Sequence, residues 1–167
     1  DFGYTTKILN AVEEVNFEQK HVIPRKVVER FGEDLTGKTF AIWGLAFKPD
    51  TDDMRQAAAI TIINELTKRG AKVKAYDPKA EKEARVCYLK DNKNVEYCDS
   101  KYTVLVDADA MILVTEWKEF RQPDFIEIKK RLKNPVIFDG RNQFDAHSLS
   151  DKGFEYYQIG VSSKLNK

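Results

Sequence analysis

Lys48, Arg55 and Arg141 are the cationic side chains whose neighbours could turn them toward an anion. Lys48 belongs to the run Gly44-Leu45-Ala46-Phe47-Lys48-Pro49, directly after an apolar stretch at 39–43, and the following proline holds it extended. Arg141 follows Gly140 just past a second apolar stretch at 135–138. An arginine presents a planar fork to phosphate, ribose or carboxylate. Phe47, beside Lys48, is either a core plug or a stacking surface for a base. Converging on one sheet edge, these residues describe a site for a nucleoside diphosphate; a solvated lysine is the competing reading of Lys48. Arg55 follows Asp50, Asp52 and Asp53, which are read as caps of the next helix, where acids suit the dipole and free N–H groups. A cation in that first turn is disfavoured, so either a salt bridge to Asp52 or an anionic ligand accounts for Arg55.

A common dinucleotide cradle would show Gly-x-Gly-x-x-Gly after the first strand. The matching positions here are Gly44, Ala46 and Pro49, so the close approach that pyrophosphate requires is missing. Asp77 stands where an adenine-ribose acid often sits, but Asp77-Pro78 is read first as a turn former.

These residues need elements to hold them. Residues 5–31 read as helix, with Ile8, Val12, Val15, Val22 and Val27 near helical spacing and a break expected at Pro24, which should open a second short helix. From Lys38 onward, strands at 39–43, 72–76, 110–115, 135–138 and 154–158 alternate with helices at 57–69, after 78, at 102–106 and at 125–132. That alternation predicts an α/β, doubly wound (Rossmann-like) parallel sheet covered on both faces and preceded by a long N-terminal helix. Ligands of such sheets bind beyond the carboxyl ends of the strands, where Phe47, Lys48 and Arg141 fall. The division expected is a helical segment at 1–36 and a nucleotide-binding domain at 37–167.

Lys plus Arg total 28 against 27 Asp plus Glu, a net charge of +1, which argues against a strongly basic nucleic-acid binder. Hydrophobic residues make up 42%, enough for a core, and no apolar run approaches a membrane span. Without a basic-then-apolar leader, the expectation is a cytoplasmic protein. The opening on Asp1, directly in a helical pattern, suggests a piece of a larger protein. Cys87 and Cys98 are expected to be reduced and structural, as small buried thiols often are. His21 and His147 lie far apart without partners at ligand spacing, so a metal site is not expected.

The run Phe40-Ala41-Ile42-Trp43-Gly44-Leu45-Ala46-Phe47-Lys48-Pro49 followed by Thr51-Asp52-Asp53-Met54-Arg55 resembles the signature of the UDP-glucose/GDP-mannose dehydrogenase family. Tyr76-Asp77-Pro78, Thr115-Glu116-Trp117 and Phe138-Asp139-Gly140-Arg141-Asn142 recur in the family's order. The wording is closer to the UDP-glucose branch than to the GDP-mannose or N-acetylmannosamine branches. The resemblance spans essentially the whole chain and matches the family's central helix plus its C-terminal, UDP-binding domain.

That resemblance implies a parent enzyme that oxidises the sugar C6 alcohol to a carboxylate with two NAD and a water, through a cysteine-bound intermediate. The nucleophile and the NAD fingerprint would lie upstream, and neither cysteine here matches the nucleophile's context. Carried over residue by residue, Phe47, Lys48 and Arg141 resemble the contacts to UDP-glucose. Arg55 resembles an arginine reaching the NAD held by the other domain. The N-terminal helix resembles the element on which subunits pair into dimers, although Pro24 departs from a straight helix. The chain alone should then recognise UDP without turnover. The rivals are a sister nucleotide-sugar dehydrogenase and a non-enzymatic nucleotide-binding regulatory domain.

Overall fold

The computed structural model describes residues 7–162. Six parallel strands form one sheet: β1 (Thr39–Trp43), β2 (Lys72–Tyr76), β3 (Val95–Tyr97), β4 (Ala110–Leu113), β5 (Val136–Asp139) and β6 (Glu155–Gln158). Their order is β3-β2-β1-β4-β5-β6, which reverses direction between β1 and β4. Every residue of β4 and β5 is buried, as expected for central strands with both faces covered. Helices α3 (Ala58–Lys68), α5 (Phe125–Arg131) and α6 (Ala146–Asp151) lie in the crossovers; α4 (Glu81–Glu83) continues as a π-helical turn over Ala84–Tyr88. The doubly wound expectation holds.

The register decides where the loops emerge. Trp43 pairs with Leu113, and Leu113 with Asp139. The next residues, Gly44, Val114 and Gly140, therefore leave the sheet at one level, on either side of the point where strand order reverses. Gly44 has φ +91, and a Cβ there would stand 2.5 Å from the Cβ of Thr115. Only glycine lets these two loops pass so closely.

Before the sheet come α1 (Lys7–Lys20) and α2 (Val22–Phe31). The helix breaks at His21, three residues earlier than expected. Pro24 occupies the first turn of α2, where its missing N–H removes no intrahelical bond. Residues 5 and 6 of the expected helix lie outside the described residues. α2 packs on the sheet through Ile23 and Val27; Lys26 Nζ donates to the carbonyl of Val161 at 2.7 Å and Arg30 pairs with Glu155 at 2.6 Å. α1 buries no residue, leaving Ile8, Leu9, Val12, Val15 and Phe17 exposed.

Three expectations need correction. β3 and α6 were not anticipated, being short and polar. Arg55 is not in a helical turn, since α3 begins at Ala58 with Ala57 as its uncapped N-terminal neighbour. Nor do the aspartates cap α3: Asp53 accepts from Arg55 N at 2.9 Å in a local turn instead.

Candidate functional site

The loop after β1 is held by a carboxylate. Leu45 N and Ala46 N donate to Asp77 Oδ2 at 2.6 and 3.0 Å, and Trp117 Nε1 donates to the same oxygen at 3.0 Å. Asp77 Oδ1 accepts from Lys79 N and Ala80 N at 2.9 and 2.8 Å. Asp77 is thus a buried turn former, as the Asp-Pro pair suggests, and it also ties β2 to the loops after β1 and β4. The amides that would face a pyrophosphate in a dinucleotide cradle already donate to a carboxylate, and Asp77 has no free oxygen for a ribose. This crevice does not fit NAD.

The turn after β5 is built the same way. Asp139, fully buried, accepts from Arg141 N at 2.8 Å, Gln143 N at 2.7 Å, Phe144 N at 3.1 Å and the Tyr156 hydroxyl at 2.7 Å. Burial and the neighbouring carboxylate push the Tyr156 phenol far up, so it remains a donor to Asp139. This network presents Arg141 across the strand ends. Arg141 Nε donates to the carbonyl of Val114 at 2.8 Å and Nη2 to that of Phe47 at 3.2 Å. One side chain from the β5 loop so bridges the loops after β4 and β1. Glu116 Oε2 stands 2.9 Å from Nε as an opposite charge, but the Nε–H points at Val114, and Oε2 is buried without a hydrogen bond.

Phe47, Val114, Gly140 and Arg141 line a cavity of about 790 Å³ together with residues of α1, Ile23 and the start of α3. The size suits a nucleotide-sized ligand, and the place is the switch point of the sheet. Phe47 is 49% exposed and available for stacking, so it is no core plug. The structure thus brings Phe47 and Arg141 together. Lys48, next in the loop, is exposed and outside the lining. Arg55 is also outside it; its Nη2 donates to Asp53 Oδ2 at 2.8 Å, so the acid beside it is Asp53 rather than Asp52. The Arg55 guanidinium holds the Asp53 carboxyl down to about 2.

Lys20, Gln56 and Glu116 were missed. Lys20 and Gln56 line the cavity and bond to each other, Lys20 Nζ to Gln56 Oε1 at 2.7 Å. Glu116 carried a signal, the strand-ending Thr-Glu-Trp; Lys20 carried none beyond its place in the last turn of α1. Cys98 is buried and free, whereas Cys87 is exposed, against the expectation that both thiols are core residues.

A model of the UDP binding domain of the UDP-glucose/GDP-mannose dehydrogenase family matches residues 41–146. A UDP-glucose 6-dehydrogenase of Pseudomonas aeruginosa is 40% identical over 160 residues, covering 95% of this chain and 35% of that relative. Among solved structures, a UDP-glucose dehydrogenase from Pyrobaculum islandicum superposes with a TM-score of 0.72 at 28% identity, over 89% of this chain and 31% of that one. An NDP-N-acetyl-D-galactosaminuronic acid dehydrogenase from Methanosarcina mazei gives 0.76 at 26% identity, over 99% of this chain and 34% of that one. The chain therefore spans about a third of the length of these relatives. On the match through its strands and site loops, the chain belongs to the UDP-glucose/GDP-mannose dehydrogenase family.

Proposed function

We propose that this chain is the nucleotide-sugar-recognising part of an NAD-dependent UDP-glucose 6-dehydrogenase, an oxidoreductase of nucleotide-sugar metabolism that supplies polysaccharide biosynthesis. The observation that carries this is Arg141, laced to the carbonyls of Phe47 and Val114 within a cavity at the sheet's switch point. Its outer guanidinium edge and the Lys48 ammonium offer charge-assisted bonds to the diphosphate, ribose or sugar of UDP-glucose. Phe47 packs beside the nucleoside. No residue of this chain is assigned to the oxidation. NAD supplies the hydride acceptor from the domain upstream, and Arg55, exposed beyond the cavity, reaches toward it.

Residues 1–36 serve as the linking and pairing segment and 37–167 as the UDP-binding domain, α2 being the part of the former that docks on the latter. A second copy of the chain covers the apolar face of α1, giving a cytoplasmic homodimer. No helix among the described residues is long and apolar enough to cross a membrane. A sister dehydrogenase is the second reading, favoured by the likeness to the Methanosarcina mazei enzyme.

Calorimetric titration of the chain tests the proposal. UDP and UDP-glucose should bind, NAD should not, and a mixture of UDP-glucose and NAD should yield no NADH. Tighter binding of GDP-mannose than of UDP-glucose would favour the sister enzyme, and NAD binding to the isolated chain would overturn the division of labour.

A further inference from the structure

The cavity is lined by two cations, Lys20 and Arg141, and one acid, Glu13. Arg141 is a weak source of positive potential, because the Glu116 carboxylate stands 2.9 Å from its Nε. An opposite charge that close cancels most of the field felt farther away. Lys48 lies outside the lining, as does Arg55, which is paired with Asp53. Lys20 is different. Its Nζ is held 2.7 Å from Gln56 Oε1, a neutral amide, and among the described residues it has no ion-pair partner. An ammonium has three donors, so one bond to Gln56 orients it and leaves two.

A lysine in the last turn of α1 suits the helix dipole without any ligand. The dipole does not, however, explain why the side chain reaches a residue 36 positions away. Nor does it explain Gln56, which holds φ +61, a left-handed conformation that a non-glycine residue keeps only where its surroundings impose it. Lys20 thus brings to the cavity a cation without an ion-pair partner among the described residues, beside a lining that also carries Arg141 and Glu13.

We propose that Lys20 is a phosphate-binding residue of this cavity. It supplies an ammonium free of an ion pair that bonds the diphosphate of a nucleotide sugar and offsets Glu13, while Arg141, balanced by Glu116, supplies direction. Gln56 is the positioning residue for Lys20. The proposal rests on the nucleotide-sugar reading of the cavity and adds a residue from α1 to it.

The experiment is a calorimetric titration of the chain with UDP and, separately, uridine, at low and moderate salt. The uncharged nucleoside reports the base and ribose contacts alone. Lys20→Gln should weaken UDP about tenfold or more, the effect of losing one hydrogen bond from a charged group, and leave uridine unchanged. It should also flatten the salt dependence of UDP binding, while Lys20→Arg keeps most of the preference for UDP. Full preference for UDP over uridine in Lys20→Gln would overturn the proposal and leave the nucleotide-sugar reading standing. Parallel loss of UDP and uridine would make Lys20 merely structural, overturning it as well. A parent chain without preference for UDP over uridine would overturn the nucleotide-sugar reading itself.

Discussion

Arg141 Nη2 donates to the carbonyl oxygen of Phe47 at 3.2 Å, joining residues 94 positions apart in the chain. The same guanidinium reaches Val114 through Nε, so one edge of the fork braces two loops while the residue also lines the cavity. Lysine ends in a single nitrogen, which cannot stand at both the Nε and the Nη2 positions, so it gives up one of the two carbonyls or the ligand. Arg141→Lys should therefore weaken UDP binding by the chain nearly as much as Arg141→Ala, by roughly tenfold to a hundredfold for a charged hydrogen bond. Titration of both variants checks this; retention of full affinity by Arg141→Lys counts against the brace.

Gly44 is the second constraint on the same loops. An alanine there must hold φ +91 and would place its Cβ 2.5 Å from that of Thr115. Left-handed strain and overpacking together cost about 3 kcal/mol. The melting temperature of Gly44→Ala should fall by roughly 6–12 °C. A melt within a degree or two of the parent would show that the loops can part freely.

Sheet and site were legible to different degrees for physical reasons. β1, β4 and β5 are central strands, so burial on both faces writes itself as continuous apolar runs. β3 is a three-residue edge strand whose central Glu96 is exposed, set among Asp, Asn and Lys, and α6 buries only Leu149. Neither carries a period to read. In the site, Phe47 and Arg141 follow legible strands and could be placed by topology alone. Lys20 and Gln56 could not, because their meeting depends on how α1 crosses the cavity. The role of Asp77 was half visible: the turn belongs to the local Asp-Pro pair, whereas the bonds to Leu45 and Ala46 exist only in the folded sheet.

Tyr76 makes stability depend on alkaline pH. Burial, reinforced by the Glu119 carboxylate that its hydroxyl bonds, pushes its phenol up to about 12 from 10.0. Below pH 10 both folded and unfolded chains keep the proton, and the stabilisation is whole. As pH rises from about 10 toward about 12 the unfolded chain releases a proton that the folded one retains, and stability falls. Urea unfolding between about pH 9 and 11 should show this loss, with a shallower slope for Tyr76→Phe. Tyr97, Tyr156 and Tyr157 are raised too, so part of the slope should remain. Equal slopes for parent and variant would remove Tyr76 from the account.

The two thiols should separate kinetically. Cys87 is exposed and Cys98 buried, and desolvation raises both thiols above their ordinary value. An aromatic disulfide reagent at mildly alkaline pH should consume one equivalent in the native chain and the second only on unfolding. Two fast equivalents would mean that the strand end carrying Cys98 opens readily.

Association follows from α1, whose Ile8, Leu9, Val12, Val15 and Phe17 are exposed. A stripe of that kind usually meets another chain, and closed twofold pairing is the commonest result. Sedimentation at micromolar concentration should give a dimer for the parent and a monomer for Val12→Glu. A parent that sediments cleanly as a monomer removes the pairing role of α1.

Substrate kinetics of the full-length protein that carries this chain offer the sharpest division. Lys48 and Arg141 stand on loops after β1 and β5, and the register Trp43–Leu113–Asp139 brings those loops out at one level of the sheet. Arg55 lies farther along the β1 loop, outside the cavity, with its guanidinium on Asp53. If the sugar nucleotide fills the cavity and extends past Phe47 to the adjoining Lys48, with the cofactor beyond it, the three cations answer to different substrates. Lys48→Ala or Arg141→Ala should raise KM for UDP-glucose about tenfold to a hundredfold and leave that for NAD nearly unchanged. Arg55→Ala should do the reverse, weakening NAD use more than UDP-glucose use. Because Arg141 also braces the loops, its variant needs a melting control, which Lys48, exposed and free of that duty, does not. An Arg141→Ala enzyme with unaltered UDP-glucose kinetics would reduce Arg141 to a structural brace and move the site elsewhere.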